Sequence, residues 1–399
     1  MAHNRNDSLR SLTSISSRSS VETYESLKEE ITAVERSQIE LQELVTAAEK
    51  VVKDKLAPNP QSTYTYKKAS DKISVKLDAV MSAILTHAEE CGGEHGLRYV
   101  ASVIVACSQK ESDADVVKAL AAVGTTWLTH LLFIFKTSRS HESQPNKDPH
   151  ELATPTLENT ASHVGGDSFQ EDVLKRDGYT CVLTGFQDFS HPAPTDNTLS
   201  LGLEASHILR RSIGNFDPDH KSDSFKSAVT TFDILVNFSH LSVDKLEELH
   251  SHLDDPSNGM MLERNAHDAF DKFYWCLKQT KTNDVYTLHI YKPGGIIRKP
   301  EDNLVVFKDK SDDFKSSSTR KRSRAIPLPD PHYLAIQAAI AGILHMSGAG
   351  KFFDELLDRY KDDEGKVPPV QSWQELENLM LEGLLTESVA ESFRSVKVY

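Results

Sequence analysis

The chain is 399 residues long, with 38% hydrophobic and 26% charged residues and a formal net charge of −14 at pH 7. At ~150 residues per domain this length predicts two or three units, and the modest apolar share predicts that part of it is tail and linker. A whole-chain field of that sign repels nucleic acid, so any surface that binds it must be local. The 4 cysteines, Cys91, Cys107, Cys181 and Cys276, form no CxxC pair. That excludes a structural zinc knuckle or a dense disulfide framework and suits a reducing compartment.

Residues 1–21 are polar and rich in Ser and Arg, and read as a disordered arm. They lack the apolar run of a secretory signal, so the protein is expected to be soluble and intracellular, in nucleus or cytoplasm, and not secreted. Residues 22–138 are expected to form an all-α domain that could offer a surface to a protein partner. Leu27, Ile31, Val34, Ile39, Leu41, Leu44, Val45, Ala48 and Val51 recur at helical steps until Pro58 and Pro60. A second helix runs through Ile73, Leu77, Val80, Met81, Ile84, Leu85 and Ala88, with Gly92 and Gly93 as its stop. Two more follow over Leu97–Ser108 and Val116–Lys136. The apolar stretch Trp127–Phe135 falls short of the ~20 residues that span a bilayer, so no membrane partner is expected. Residues 139–168 turn to Ser, Pro, Asn, His and Asp and read as a linker.

Residues 169–300 carry the chemistry. RDGYTCVLTG reads as a helix end, a turn and a strand; EASHILRRSI as a strand with His207 near its end. DDPSNGMMLERNAHDAFD reads as a turn followed by a helix starting near Asn265, and VYTLHIY as a closing strand. Four pieces occur in order: Cys181–Thr184–Gly185, Glu204–Ala205–Ser206–His207–Ile208, Asn258–Gly259–Leu262, and His267–Phe270–Asp271. On its own, His207 would read as an ordinary strand histidine. As a set the pieces resemble the CxxTG, EAAHI, NGxxL and HxxFD motifs of a subgroup of HNH (ββα-metal) endonucleases common in fungal proteins, over roughly a third of the chain.

The resemblance implies roles. A phosphodiester needs a base that takes a proton from water, which a histidine does near neutral pH, and a cation at the leaving oxygen. His207 would be that base, Asn258 would order the loop that orients it, and His267 would ligate a metal. Asp271 lies one helical turn after His267, so both side chains can face one ion. The ion would be Mg²⁺ or Mn²⁺, with Zn²⁺ also suited to a histidine site. Many relatives carry Asp or His before the base, where this chain has Ser206. A long insertion, about Gly214 to Leu253, also separates His207 from Asn258 and could be a lid, a substrate loop or a decoration.

Arg210 and Arg211 follow the base, and Arg320, Lys321, Arg322 and Arg324 form a basic cluster in a Ser-rich loop, 301–325. All could contact phosphate, while the cluster could equally be a nuclear import signal or an exposed linker with incidental charge. Residues 326–399 read as a helical extension, an apolar helix after Pro331 and then an acidic tail with the amphipathic stretch WQELENLMLEGLL. The expected fold class is therefore α+β: an N-terminal all-α domain, a ββα-metal HNH domain with a long insertion, and a C-terminal helical extension. The expected activity is metal-dependent endonuclease cleavage of nucleic acid, DNA ahead of RNA. The competing reading is an HNH fold kept as a non-catalytic binding module, favoured by the acidic charge and by Ser206.

Overall fold

The structure is a computed structural model and describes residues 17–68, 71–136, 166–210, 223–241, 253–314 and 325–359, with 373, 376 and 377. The chain divides into two compact units. One comprises Met1–Ser140, Asn215–Leu241 and Gly342–Tyr399; the other comprises His141–Gly214 and Ser242–Ala341.

The first described element of the first unit is α1 (Ser17–Ser26), which starts within the stretch expected to be an arm, 1–21. Ser17 and Ser20 turn inward: the Ser20 hydroxyl donates to the Ser17 carbonyl at 2.7 Å, and the Ser17 hydroxyl donates to Glu377 at 2.5 Å. Helices α2 (Lys28–Glu35) and α3 (Leu41–Val51) follow, the latter running into a π turn, Val52–Leu56. An antiparallel hairpin then appears where helix was expected, β1 (Thr63–Lys68) against β2 (Asp71–Lys76). Tyr64, Tyr66, Ile73 and Val75 are buried while their sequence neighbours are more open, which is the period of two that a half-buried strand requires. The unit is thus not all helix, and Ile73 belongs to a strand.

The long helix α4 (Leu77–Cys107) joins two elements that the sequence separates. Gly93 breaks it at φ 60°, ψ −154°, and the helix resumes at once. Ser112 caps α5 (Asp113–Thr126) by accepting from the Asp115 amide. With the turns that follow, α5 makes a run to Phe135 of 23 residues, long and apolar enough to cross a membrane, and 89% of its most apolar window is buried within the protein. It is built as a core helix.

The second unit begins with α6 (Gly166–Arg176). The expected strand at Thr180–Gly185 is instead a turn: Gly185 takes φ +70°, its amide donates to the Cys181 carbonyl, and the Cys181 sulfur accepts from the Thr184 amide. Short strands β3 (Gln187–Asp188) and β4 (Ser200–Leu201) pair in parallel, and β5 (Leu203–His207) follows. The chain then leaves for α7 (Asp223–Ser239), which belongs to the first unit, and returns in β6 (Gly259–Glu263) and α8 (Arg264–Asp271). β5 and β6 form an antiparallel ribbon with His207 opposite Gly259. β7 (Trp275–Gln279), β8 (Val285–Ile290) and β9 (Leu304–Val306) form a second, antiparallel sheet, so part of the expected 301–325 loop is strand. Phe169, Val173, Met260, Leu262, Phe270 and Trp275 share one core between these layers.

The insertion is a structural helix rather than a lid over residues 223–239. In the first unit α7 packs on α4. A Cβ at Gly92 or Gly96 would stand 2.2 or 2.3 Å from the Phe238 carbonyl oxygen, so those glycines permit close approach. Asp233 of α7 accepts from the Tyr24 hydroxyl at 2.9 Å, and the Tyr24 and Tyr99 hydroxyls lie 2.6 Å apart. The final described helices are α9 (Pro331–Ser347) and α10 (Ala349–Asp358). In the tail, Trp373 is buried against the Tyr64, Phe133 and Phe353 rings, so that part of the amphipathic stretch packs within its own chain.

Candidate active site

The site is laid out by a short turn, Pro256–Asn258. The Asp255 carboxylate accepts from the Ser257 amide and Pro256 fixes the next backbone angle, so the turn is specified locally. It delivers Asn258, which is fully buried. The Asn258 amide group accepts from the Leu209 amide at 2.8 Å and donates to the carbonyls of Leu209 at 2.8 Å and Leu253 at 3.0 Å. Its own carbonyl accepts from the Ile208 amide at 2.9 Å. Only a side chain that both donates and accepts can make this stitch. Asn258 thereby locks the two residues that follow His207.

Gly259 has a specific reason to lack a side chain. A Cβ there would lie 2.5 Å from the Phe169 ring and 3.0 Å from Val173, both on α6. Phe169 uses that space to stack on the His207 imidazole, with centroids 4.3 Å apart and planes 11° apart. The His207 Nε2 lies 2.9 Å from an Asp254 carboxylate oxygen. His207 is 8% exposed, lodged between an aromatic wall and a carboxylate.

Alternation along β5 sends Glu204 and Ser206 to the face opposite His207. There α8 lies across the ribbon. The Glu263 carboxylate caps that helix, accepting from the Asn265 and Ala266 amides at 2.8 Å each. His267 Nδ1 lies 2.8 Å from a Glu204 oxygen, and its Nε2 lies 3.7 Å from an Asp271 oxygen. The hydrogen bond from His267 is the main reason the Glu204 carboxyl is held below its ordinary range. Arg210, expected to reach phosphate, is only 5% exposed, bonds to the Asp271 carbonyl, has its guanidinium 3.5 Å from the Asp271 carboxylate and sits over the Phe273 ring. Of the sequence-derived residues, then, His267, Asp271 and Arg210 come together, while His207 leaves the ribbon on the other face. Arg211, Arg320, Lys321 and Arg322 lie outside the described residues.

The donor set bears on a metal. Among the described residues no three His, Cys, Asp or Glu side chains converge as a metal-holding group. His267 and Asp271 supply two donors, and a carboxylate on His267 Nδ1 leaves Nε2 as the lone pair that binds metals. On the same strand face the Ser206 hydroxyl is buried with no hydrogen-bond partner among the described residues. Two donors, one imidazole nitrogen and one carboxylate, would leave most of an ion's shell to water and phosphate oxygens.

One pair was not legible in advance. Arg176 is fully buried, bonds Asp177 through both Nε (2.8 Å) and a terminal nitrogen (3.0 Å), and donates to the carbonyls of Pro256 at 2.5 Å and Gly259 at 2.7 Å. Asp177 in turn accepts from the Met261 amide at 2.8 Å. This pair holds the Asn258 turn from behind. The only hint was an Arg-Asp-Gly run ending a helix, which reads equally well as a solvated turn.

No curated protein and no solved structure matches the chain. Residues 181–278, from the Cys181 turn into β7, match the family model described as HNH endonuclease, and through this stretch the chain is similar to the HNH nucleases.

Proposed function

We propose that the second unit is a metal-dependent endonuclease that hydrolyses phosphodiester bonds of nucleic acid, DNA ahead of RNA. One arrangement carries the reading: His207 ends a strand whose following loop is locked by Asn258, while α8 lays His267 and Asp271 against the other face of the same ribbon near that strand end. His207 takes a proton from water as the water oxygen attacks phosphorus in line, leaving a 5′ phosphate and a 3′ hydroxyl. His267 and Asp271 would hold Mg²⁺ or Mn²⁺, with Zn²⁺ the softer alternative; when bound, the ion supplies positive charge at the developing oxyanions. Asn258 orders the loop. Arg211, Arg320, Lys321 and Arg322 supply local phosphate contacts that the net charge of −14 otherwise denies. Arg210 would join them only by leaving Asp271.

That last contact favours a second reading. A guanidinium already beside Asp271 supplies the charge a metal would bring, as expected of an HNH fold kept for binding. The helical unit would then carry protein contacts, inside the cell. Cleavage of supercoiled plasmid and of RNA by purified protein with Mg²⁺, Mn²⁺ or EDTA separates the two. The nuclease reading expects metal-dependent nicking that vanishes in His207→Ala. Folded wild type that cuts neither substrate with any metal gives the decision to the binding module.

A further inference from the structure

We propose that Asp254 is the positioning carboxylate of the His207 base, fixing its tautomer and steadying the imidazolium formed when it takes a proton; this rests on the nuclease reading above. The geometry is direct, an Asp254 oxygen 2.9 Å from His207 Nε2. An ionised carboxylate can only accept, so the hydrogen sits on Nε2 and the lone pair sits on Nδ1. Nδ1 is therefore the nitrogen that receives the proton.

Asp254 is itself held in place from both sides along the chain. The Leu253 carbonyl, just before it, accepts from the Asn258 side chain, and Asp255, just after it, caps the Pro256–Asn258 turn. The imidazole has two independent constraints, Phe169 over its face and Asp254 at its edge. A ring so placed needs little reorganisation before reaction. Asp254 also gives a second purpose to the Asn258 stitch. By gripping Leu253 as well as Leu209, Asn258 sets the base and its carboxylate at one separation.

The step balances as follows. A water O–H bond breaks and its proton goes to His207 Nδ1. The water oxygen bonds to phosphorus, the phosphorus–O3′ bond breaks, and the 3′ oxygen leaves with the electron pair and is protonated by solvent. The positive charge now on the ring faces the negative Asp254, and the proton stays on the ring. In a second transfer His207 returns it to solvent. No oxidant or further reactant is needed.

The test uses the full chain and Asp254→Asn, which keeps the shape but can accept or donate and so no longer dictates the tautomer. Single-turnover plasmid cleavage with Mg²⁺ or Mn²⁺ is expected to slow by roughly 10–100-fold with little change in KM. Asp254→Glu, which keeps the charge, is expected to recover part of the rate. Nitrogen-15 spectra of the His207 ring are expected to show the Nε2–H form in wild type and a mixture in Asp254→Asn, which a purely structural role would not produce. An Asp254→Asn protein that cuts at the wild-type rate while His207→Ala is inactive overturns the proposal and leaves the nuclease reading standing. So does a wild-type ring found as Nδ1–H. Wild type that cuts nothing overturns both together.

Discussion

Asn258 shows how one residue type is dictated by its surroundings. Its amide makes two donations and one acceptance, all to backbone, in a fully buried position. Aspartate there keeps the acceptor but loses both donors, sets a carboxylate oxygen against two carbonyls and buries its charge. Asn258→Asp should therefore lower stability by ~2–4 kcal/mol and abolish cleavage, as read by urea unfolding and plasmid nicking; a variant as stable as wild type would sink this account. Glu204 makes a gentler case. Under the proposed function it would accept from His267 Nδ1 and turn Nε2 toward the ion. Glu204→Gln should weaken Mn²⁺ binding by roughly 10–100-fold with little loss of fold, measured by calorimetry. Unchanged affinity would mean that His267 does not meet the ion through Nε2. At this scale the sequence is informative where a motif names chemistry: His207, Asn258 and His267 stand out together. It is silent on Asp254 and on the Arg176–Asp177 pair, because a buried ion pair and a surface one are spelled alike and only the fold tells which is dry.

Elements were legible when their periodicity was undisturbed and misread when it was shared. α8 begins where the pattern places it, capped by Glu263. The β1–β2 hairpin was missed because Ile73 falls four residues before Leu77 and so extends the helical stripe of α4, while its real partner Tyr66 lies across a turn. Gly92, expected as part of a helix stop, differs for another reason. A glycine can end a helix or let another segment come close, and the letter is the same for both. Gly93 does the first and Gly92 and Gly96 do the second, against the Phe238 carbonyl. A methyl group at Gly96 must push that backbone away, because a carbonyl oxygen at 2.3 Å has no rotamer to change. Gly96→Ala should cost about 1–3 kcal/mol despite its better helix propensity, seen as a lower melting temperature. A rise in melting temperature would show that α7 can shift at no cost.

At the scale of the whole molecule, the insertion is what no local pattern reveals. Residues 223–239 interrupt the second unit in sequence yet form a helix of the first, so a span that looks like an elaboration of the site belongs to the other unit's core. Its Thr231 hydroxyl donates to the carbonyl of His130, which ties this segment to a buried histidine. Burial pushes the His130 imidazole down from 6.5 to about 4, because the charged form loses its water there. The sign of the consequence follows. Above pH 6.5 the ring is neutral folded or unfolded, and its contribution is fully present. As pH falls from 6.5 toward 4 the unfolded chain takes up a proton that the folded chain refuses, and stability drains away. Below about 4 both states are protonated and the loss stops, having reached ~3 kcal/mol. Urea unfolding between pH 7.5 and 4.5 should therefore show wild type losing stability more steeply than His130→Gln, whose side chain does not titrate. The carboxylates are common to both proteins and cancel in the comparison. Parallel slopes would mean that water or a counter-charge reaches His130, and that the helices of this unit open far more readily than their packing implies.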